Sequence, residues 1–162
     1  MTTADDPVDD ETYSDLERAI LAGDRAAVET ELETGETGEG HRMAVHTALL
    51  GGRTDIALEL VDRRIGIDTR DNAGATPLHR ALELDELGVA KALVQAGADV
   101  TVEDEHGNQP LWRAVFRGQT ELVATLVEHG ADPHHENVAG RSPYSLATEY
   151  DVAEILEALE RA

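Results

Sequence analysis

Apolar residues recur along this chain in short bursts at helical spacing. Val89, Ala90, Leu93 and Val94 line one side of a segment running from about Glu86 to Gln95, and a shorter apolar stretch from Leu78 to Leu84 precedes it. Each predicts a short helix. The punctuation around them is as regular as the bursts. Thr76 and Ser142 carry hydroxyls suited to capping a helix start, and each precedes a proline, Pro77 or Pro143, at the first helical position. Gln109 holds the corresponding place before Pro110, so the helix that follows is expected to begin less firmly. Gly97 and Gly130 sit where a helix must end in a left-handed turn. Residues 98–107 then read as a turn-rich connection to the next helix.

These features repeat. The stretch Asp71 to Ala81 aligns with Asp104 to Ala114 and again with Asn137 to Ala147. Pro77, Pro110 and Pro143 are 33 residues apart, and Gly74, Gly107 and Gly140 keep the same interval. Gln95-Ala-Gly-Ala-Asp-Val100 returns as Glu128-His-Gly-Ala-Asp-Pro133. Two helices this short cannot bury an apolar stripe alone, whereas a row of such pairs builds a continuous core, and alanines allow close approach.

With its 33-residue period, Thr-Pro-Leu-His at 76–79, Ala81 and Gly-Ala-Asp at 97–99, the sequence resembles the ankyrin repeat family. The resemblance is in phase from 71 to 162. Shifting back one period gives a weaker unit over 38–70, where Met43-Ala-Val-His46 replaces the Thr-Pro-Leu-His run and Gly52, Ile56, Leu60 and Val61 stay in register. Before it, Leu16, Ala19, Gly23, Asp24, Val28 and Leu32 suggest a helix pair whose hairpin is four residues short of the period. The expected fold is an all-α solenoid of five units, about 11–37, 38–70, 71–103, 104–136 and 137–162, the outer two acting as caps, behind an acidic, solvated tail over 1–10.

Composition sharpens this picture. Thirteen basic against 34 acidic residues leave a formal charge of −21, and Lys91 is the single lysine. Residues 1–40 carry 13 acids and two arginines. Phosphate recognition needs Lys and Arg, so the excess of acid argues against nucleic acid and against anionic membrane surfaces. The balance resembles that of cytosolic proteins from salt-loving archaea. There, a strongly negative surface keeps proteins soluble in strong salt and repels itself in dilute buffer. The competing explanation is a docking surface for a basic partner. Without cysteine, the chain has no disulfide, thiol chemistry or Cys-based zinc site. No apolar run approaches the roughly 20 residues of a membrane span, and the acidic stretch Met1 to Glu11 does not read as a leader. A cytoplasmic location is expected.

Candidate chemistry is sparse. His129, His134, His135 and Glu136 form the most metal-like cluster, but adjacent side chains point apart and the segment reads as an exposed loop. No His-Glu-x-x-His, Gly-x-Ser-x-Gly, phosphate-binding Gly-Lys-Ser/Thr or dinucleotide fingerprint occurs. No enzyme activity, cofactor or metal is expected. The resemblance implies that His79, and His46 one unit earlier, steady their loops. It further implies a concave face whose exposed, variable places are the second, third, fifth, thirteenth and fourteenth of each unit. Those places hold Asn72, Ala73, Ala75, Glu83 and Leu84, then Glu105, His106, Asn108, Phe116 and Arg117, then Val138, Ala139, Arg141, Glu149 and Tyr150, with Leu50 and Gly51 in the unit before. Leu50, Leu84, Phe116 and Tyr150 thus form an apolar stripe, one residue per unit. The competing reading is that they pack against neighbouring helices and are covered. Trp112, in place of the expected histidine, either plugs the space between turns or extends the stripe. The resulting binding set is Leu84, Glu105, His106, Asn108, Trp112, Phe116, Arg117, Arg141 and Tyr150. Their expected role is docking of a protein partner by a small interaction module or adaptor, expected as a monomer. The alternatives are a self-assembling unit, such as a homodimer using the same face, and a metal or small-ligand binder at His134–His135.

A helical circular-dichroism melt in dilute buffer and in multimolar KCl tests the charge argument. A large gain in Tm with salt is expected. No gain would leave the acidic surface itself as the leading docking site for a basic partner.

Overall fold

The structure, a computed structural model, describes residues 13–34 and 41–161. The expected tail over 1–10 and the shortened first hairpin, centred on 35–40, lie outside the described residues. Ten helices fall among those described: α1 (Asp15–Ala22), α2 (Arg25–Thr34), α3 (Ala44–Leu50), α4 (Thr54–Asp62), α5 (Pro77–Glu83), α6 (Leu87–Gln95), α7 (Pro110–Phe116), α8 (Thr120–Glu128), α9 (Pro143–Tyr150) and α10 (Ala153–Leu159). They form five antiparallel pairs. The first helices stack in the row α1, α3, α5, α7, α9, and the second helices α4, α6, α8 and α10 stack behind them.

Local chemistry sets the helix boundaries. Ser14 and Glu17 close a capping box at the start of α1, and the Ser142 hydroxyl accepts from the Ser145 N–H at the start of α9. Thr76 pairs instead with His79: its N–H donates to Nδ1 at 3.2 Å, and its hydroxyl lies 2.9 Å from the same nitrogen. Gln109 makes no side-chain cap, and its buried Oε1 has no partner, in keeping with the weaker start expected for α7. Every first helix ends in a left-handed residue, namely Gly23, Gly52, Asp85, Gly118 or Asp151, which turns the chain into the second helix of the pair.

Between pairs the core is aliphatic. Leu16, Leu60, Leu78, Leu82, Leu93, Leu111 and Leu126 are fully buried, with Ala44, Ala48, Ala81, Ala90 and Ala114 at the close contacts. A polar ladder runs beside this core. His46 Nε2 lies 3.1 Å from the Ala75 carbonyl, and His79 Nε2 lies 3.0 Å from that of Asn108; each crosses from one unit to the next, 29 residues on. A carbonyl oxygen only accepts, so Nε2 carries the proton in both rings. Both rings are buried, and burial is the main cause that holds their pKa below the ordinary 6.5, against the raising effect of the carbonyls of Ala75 and Asn108.

That depression gives the stability a pH dependence. The unfolded chain takes up these protons near pH 6.5, the folded chain only at lower pH. The contribution of the rings is therefore whole above that value and declines as the pH falls below it. Urea unfolding should show His79→Gln weaker than the parent by about 1–3 kcal/mol at about pH 7.5. The gap should narrow at about pH 5.5, because the variant has one fewer ring to protonate. An equal gap at both pH values would show that His79 protonation does not draw on the stability of the fold.

Candidate functional site

Three turns, one before each of the last three helix pairs, are built the same way. Asp71 Oδ1 accepts from the N–H groups of Ala73 and Ala75 at 2.9 and 3.0 Å. Asp104 Oδ1 does the same for His106 and Asn108, and Asn137 Oδ1 for Ala139 and Arg141. Burial pushes the carboxyls of Asp71 and Asp104 upward. The N–H donors of their turns, with Arg80 at Asp71 and Asn108 and Arg113 at Asp104, outweigh that and hold both below the ordinary carboxylate value. Neighbouring turns are tied by backbone: the Glu105 N–H donates to the Ala73 carbonyl at 2.8 Å and the Val138 N–H to that of His106 at 3.0 Å. This close approach needs glycine. Gly107 has φ +73°, and a Cβ there would stand 3.1 Å from the Val138 nitrogen.

Beside this row of turns, the last turns of the first helices present the apolar stripe. Leu50 is 69% exposed, Phe116 60% and Tyr150 61%, with Leu84 also exposed. The reading in which these side chains are covered by neighbouring helices does not hold. The stripe begins one unit earlier than the sequence suggested. Leu21 of α1, two residues before Gly23 as Leu50 is before Gly52, is exposed as well. The shortened first unit had put Leu21 out of the 33-residue count; the glycine that ends the helix, Gly23 here and Gly52 one unit on, was the marker that aligns it.

The other expected site residues divide. Glu105 and His106 are exposed at a turn tip, with His106 Nε2 3.7 Å from Glu105. Arg117 is exposed and donates to the Glu83 carbonyl, which holds its guanidinium against the preceding unit. Two of the three position-five residues are not exposed, contrary to expectation, while Arg141 is partly exposed. Ala75 is buried, and Asn108 is only 7% exposed: its Oδ1 accepts from Asn137 Nδ2 at 2.9 Å and its carbonyl faces His79. Asn108 faces inward because it joins three successive units, so it is withdrawn from the outward-facing set. Trp112 is neither fully packed nor fully exposed. It is half-buried against the core, and Arg141 lies over its ring, 5.8 Å from the centroid. Arg141 stands 29 residues beyond Trp112, where Ala75 and Asn108 stand relative to His46 and His79. Where the imidazole ladder lapses, a cation–π contact takes its place. Arg141 also pairs with Glu149.

The histidine cluster does not converge. His134 packs on Tyr144, with ring centroids 4.9 Å apart, while His135 Nε2 lies 3.2 Å from the Gly107 carbonyl. Among the described residues no three His, Asp or Glu side chains come together to hold a metal. No described helix is long and apolar enough to cross a membrane.

A family model described as ankyrin repeats in three copies matches residues 16–104, and a model of the single ankyrin repeat matches 106–138. Together they span well over half of the chain. No curated protein matches it. Beyond 138, α9 and α10 complete a further pair on the same plan.

The contact between Arg141 and Trp112 has an optical signature, since Trp112 is the single tryptophan. Arg141→Ala should leave the helical signal intact and make the tryptophan fluorescence more readily quenched by acrylamide. Unchanged quenching would show that the guanidinium does not cover the ring.

Proposed function

The chain belongs to the ankyrin repeat family, and from that premise we propose that it is a non-enzymatic interaction module that docks a protein partner on the face formed by its first helices and turn tips. Ankyrin repeats generally mediate protein–protein interaction, and proteins built from them are generally not enzymes. The observation that carries the reading is the stripe Leu21, Leu50, Leu84, Phe116 and Tyr150, one exposed apolar side chain per unit. Exposed apolar surface arranged in a line favours a partner that removes it from water. Aromatic and arginine side chains are the usual anchors of interfaces, which points to Phe116, Tyr150, Arg117 and Arg141, with Trp112 behind them and Glu105 and His106 at the rim.

The mechanism is preorganisation. The turns are tied to one another by backbone hydrogen bonds, and the helices by a continuous core, so little freedom is lost on docking. The module works as a cytoplasmic monomer whose acidic surface keeps it dispersed.

Phe116→Ala should weaken binding to a captured partner by about 2 kcal/mol or more, roughly thirtyfold, with the melting curve unchanged. Undiminished binding would remove the stripe as the site. Light scattering over a concentration series in high salt separates a partner-binding module from a self-assembling one, because a second copy meeting the stripe across a twofold axis would double the mass.

A further inference from the structure

At the α1 end of the stripe, a groove of about 490 Å³ runs between α1 and α3. Its walls include Tyr13, Leu21, Met43 and Leu50; Thr47, Arg70, Asp71 and Asn72 also line it, and so do Glu17 and His46. Glu17 and His46 are both more than nine-tenths buried. The Glu17 carboxylate accepts from the Ser14 N–H at 2.9 Å and the Ser14 hydroxyl at 3.0 Å, with the Thr47 hydroxyl at 3.4 Å. Among the described residues no arginine or lysine pairs with it. Arg70, at the rim of the groove, is engaged by the carbonyls of Gly74 and Glu103. A buried carboxylate without a cation is costly.

His46 adds a second acceptor. Its Nε2 proton faces the Ala75 carbonyl, which leaves Nδ1 of the neutral ring with a lone pair, and that nitrogen is buried without a partner. The matching nitrogen of His79 takes the N–H of Thr76. One unit earlier the cap position is Met43, whose backbone (φ −90°, ψ 3°) is not extended as that of Thr76 is. The groove therefore offers two buried acceptors beside the apolar side chains of Leu21, Met43 and Leu50, in a chain of charge −21.

A guest that fits must bring several N–H donors, a positive charge and an apolar stem. Guanidinium is planar, carries five donors and is more weakly hydrated than ammonium, and its methylene stem packs on apolar surface. We infer that this groove receives an arginine side chain of the protein partner, set between apolar residues that continue onto the stripe. The inference rests on the docking face proposed above and assigns the chemistry of one end of it.

The test uses the whole chain and two short probes, acetyl-Leu-Arg-Leu-amide and its twin with citrulline, the uncharged isostere, in place of arginine. Amide shifts in nitrogen-15 spectra report the site and the affinity. The arginine probe should bind about tenfold more tightly than the citrulline probe, with shifts centred on α1 and α3. Glu17→Gln, which retains a capping side chain at that place, should remove most of the difference. Phe116→Ala should leave it unchanged, so that failure of the pocket is distinguished from failure of the docking face at Phe116. Equal binding of the two probes would overturn the inference. So would no binding of either, or shifts scattered over the acidic surface and indifferent to Glu17→Gln.

Discussion

Helices of seven to ten residues are too short to be stable on their own in water, and this constraint underlies everything else in the molecule. Each pair buries its apolar stripe only when another pair is laid against it, so the core is shared between units and has no single centre. Helix α5, with Leu78 and Leu82 fully buried, packs against α3 on one side and α7 on the other. The side chains that can serve this purpose are small and aliphatic, which is why the described core is a row of leucines, valines and alanines with few rings. The same arrangement leaves the last turn of each first helix facing outward in every unit. An exposed stripe is a geometric by-product of stacking; what is particular to this chain is that the stripe is apolar.

Polar groups in the stack meet a stricter condition than apolar ones. A buried imidazole must have a partner for each nitrogen or bear the cost of desolvation. His79 meets it, with Thr76 on one side and Asn108 on the other. His46 meets it by half, and Trp112 abandons the pattern for a contact with Arg141. The central unit is thus the most completely hydrogen-bonded, and both departures lie toward the ends of the stack. Each leaves a distinct feature: an unsatisfied acceptor in a groove toward one end, and a tryptophan under a guanidinium toward the other.

Much of this was legible from residues alone. The 33-residue interval of prolines and glycines placed α5 to α10, because each marks a backbone condition that only a few residue types meet. Gly97 and Gly130, expected in left-handed turns, have φ of +86° and +92°. The exposure of Phe116 and Tyr150 followed from the outward places that the ankyrin resemblance implies. Asn108 shows where counting fails. A polar residue at a variable position reads as outward-facing, and only the three-dimensional neighbours Asp104, Asn137 and His79 show that its polar atoms are satisfied inside. The groove at Glu17 and His46 was out of reach for the same reason. Glu17 closes the capping box of α1, and nothing in a linear sequence tells that its carboxylate is buried where α1 meets α3.

Charge and stripe constrain each other. A solvent-facing row of leucines and aromatics invites association between copies, while a net charge of −21 opposes the approach of two identical surfaces. The opposition is long-ranged in dilute buffer and is screened within about 3 Å at molar salt. Hydrophobic contact is not screened. At high ionic strength the stripe is therefore freed from self-repulsion, and association of copies then turns on shape: two rows of like side chains on stacked units need complementary hollows to interlock. A partner carrying positive charge meets neither obstacle. It gains from the acidic field at low salt and from the apolar row at any salt, and a buried carboxylate such as Glu17, held out of reach of most counterions, retains its attraction for a fitted cation when the exposed acids have lost theirs.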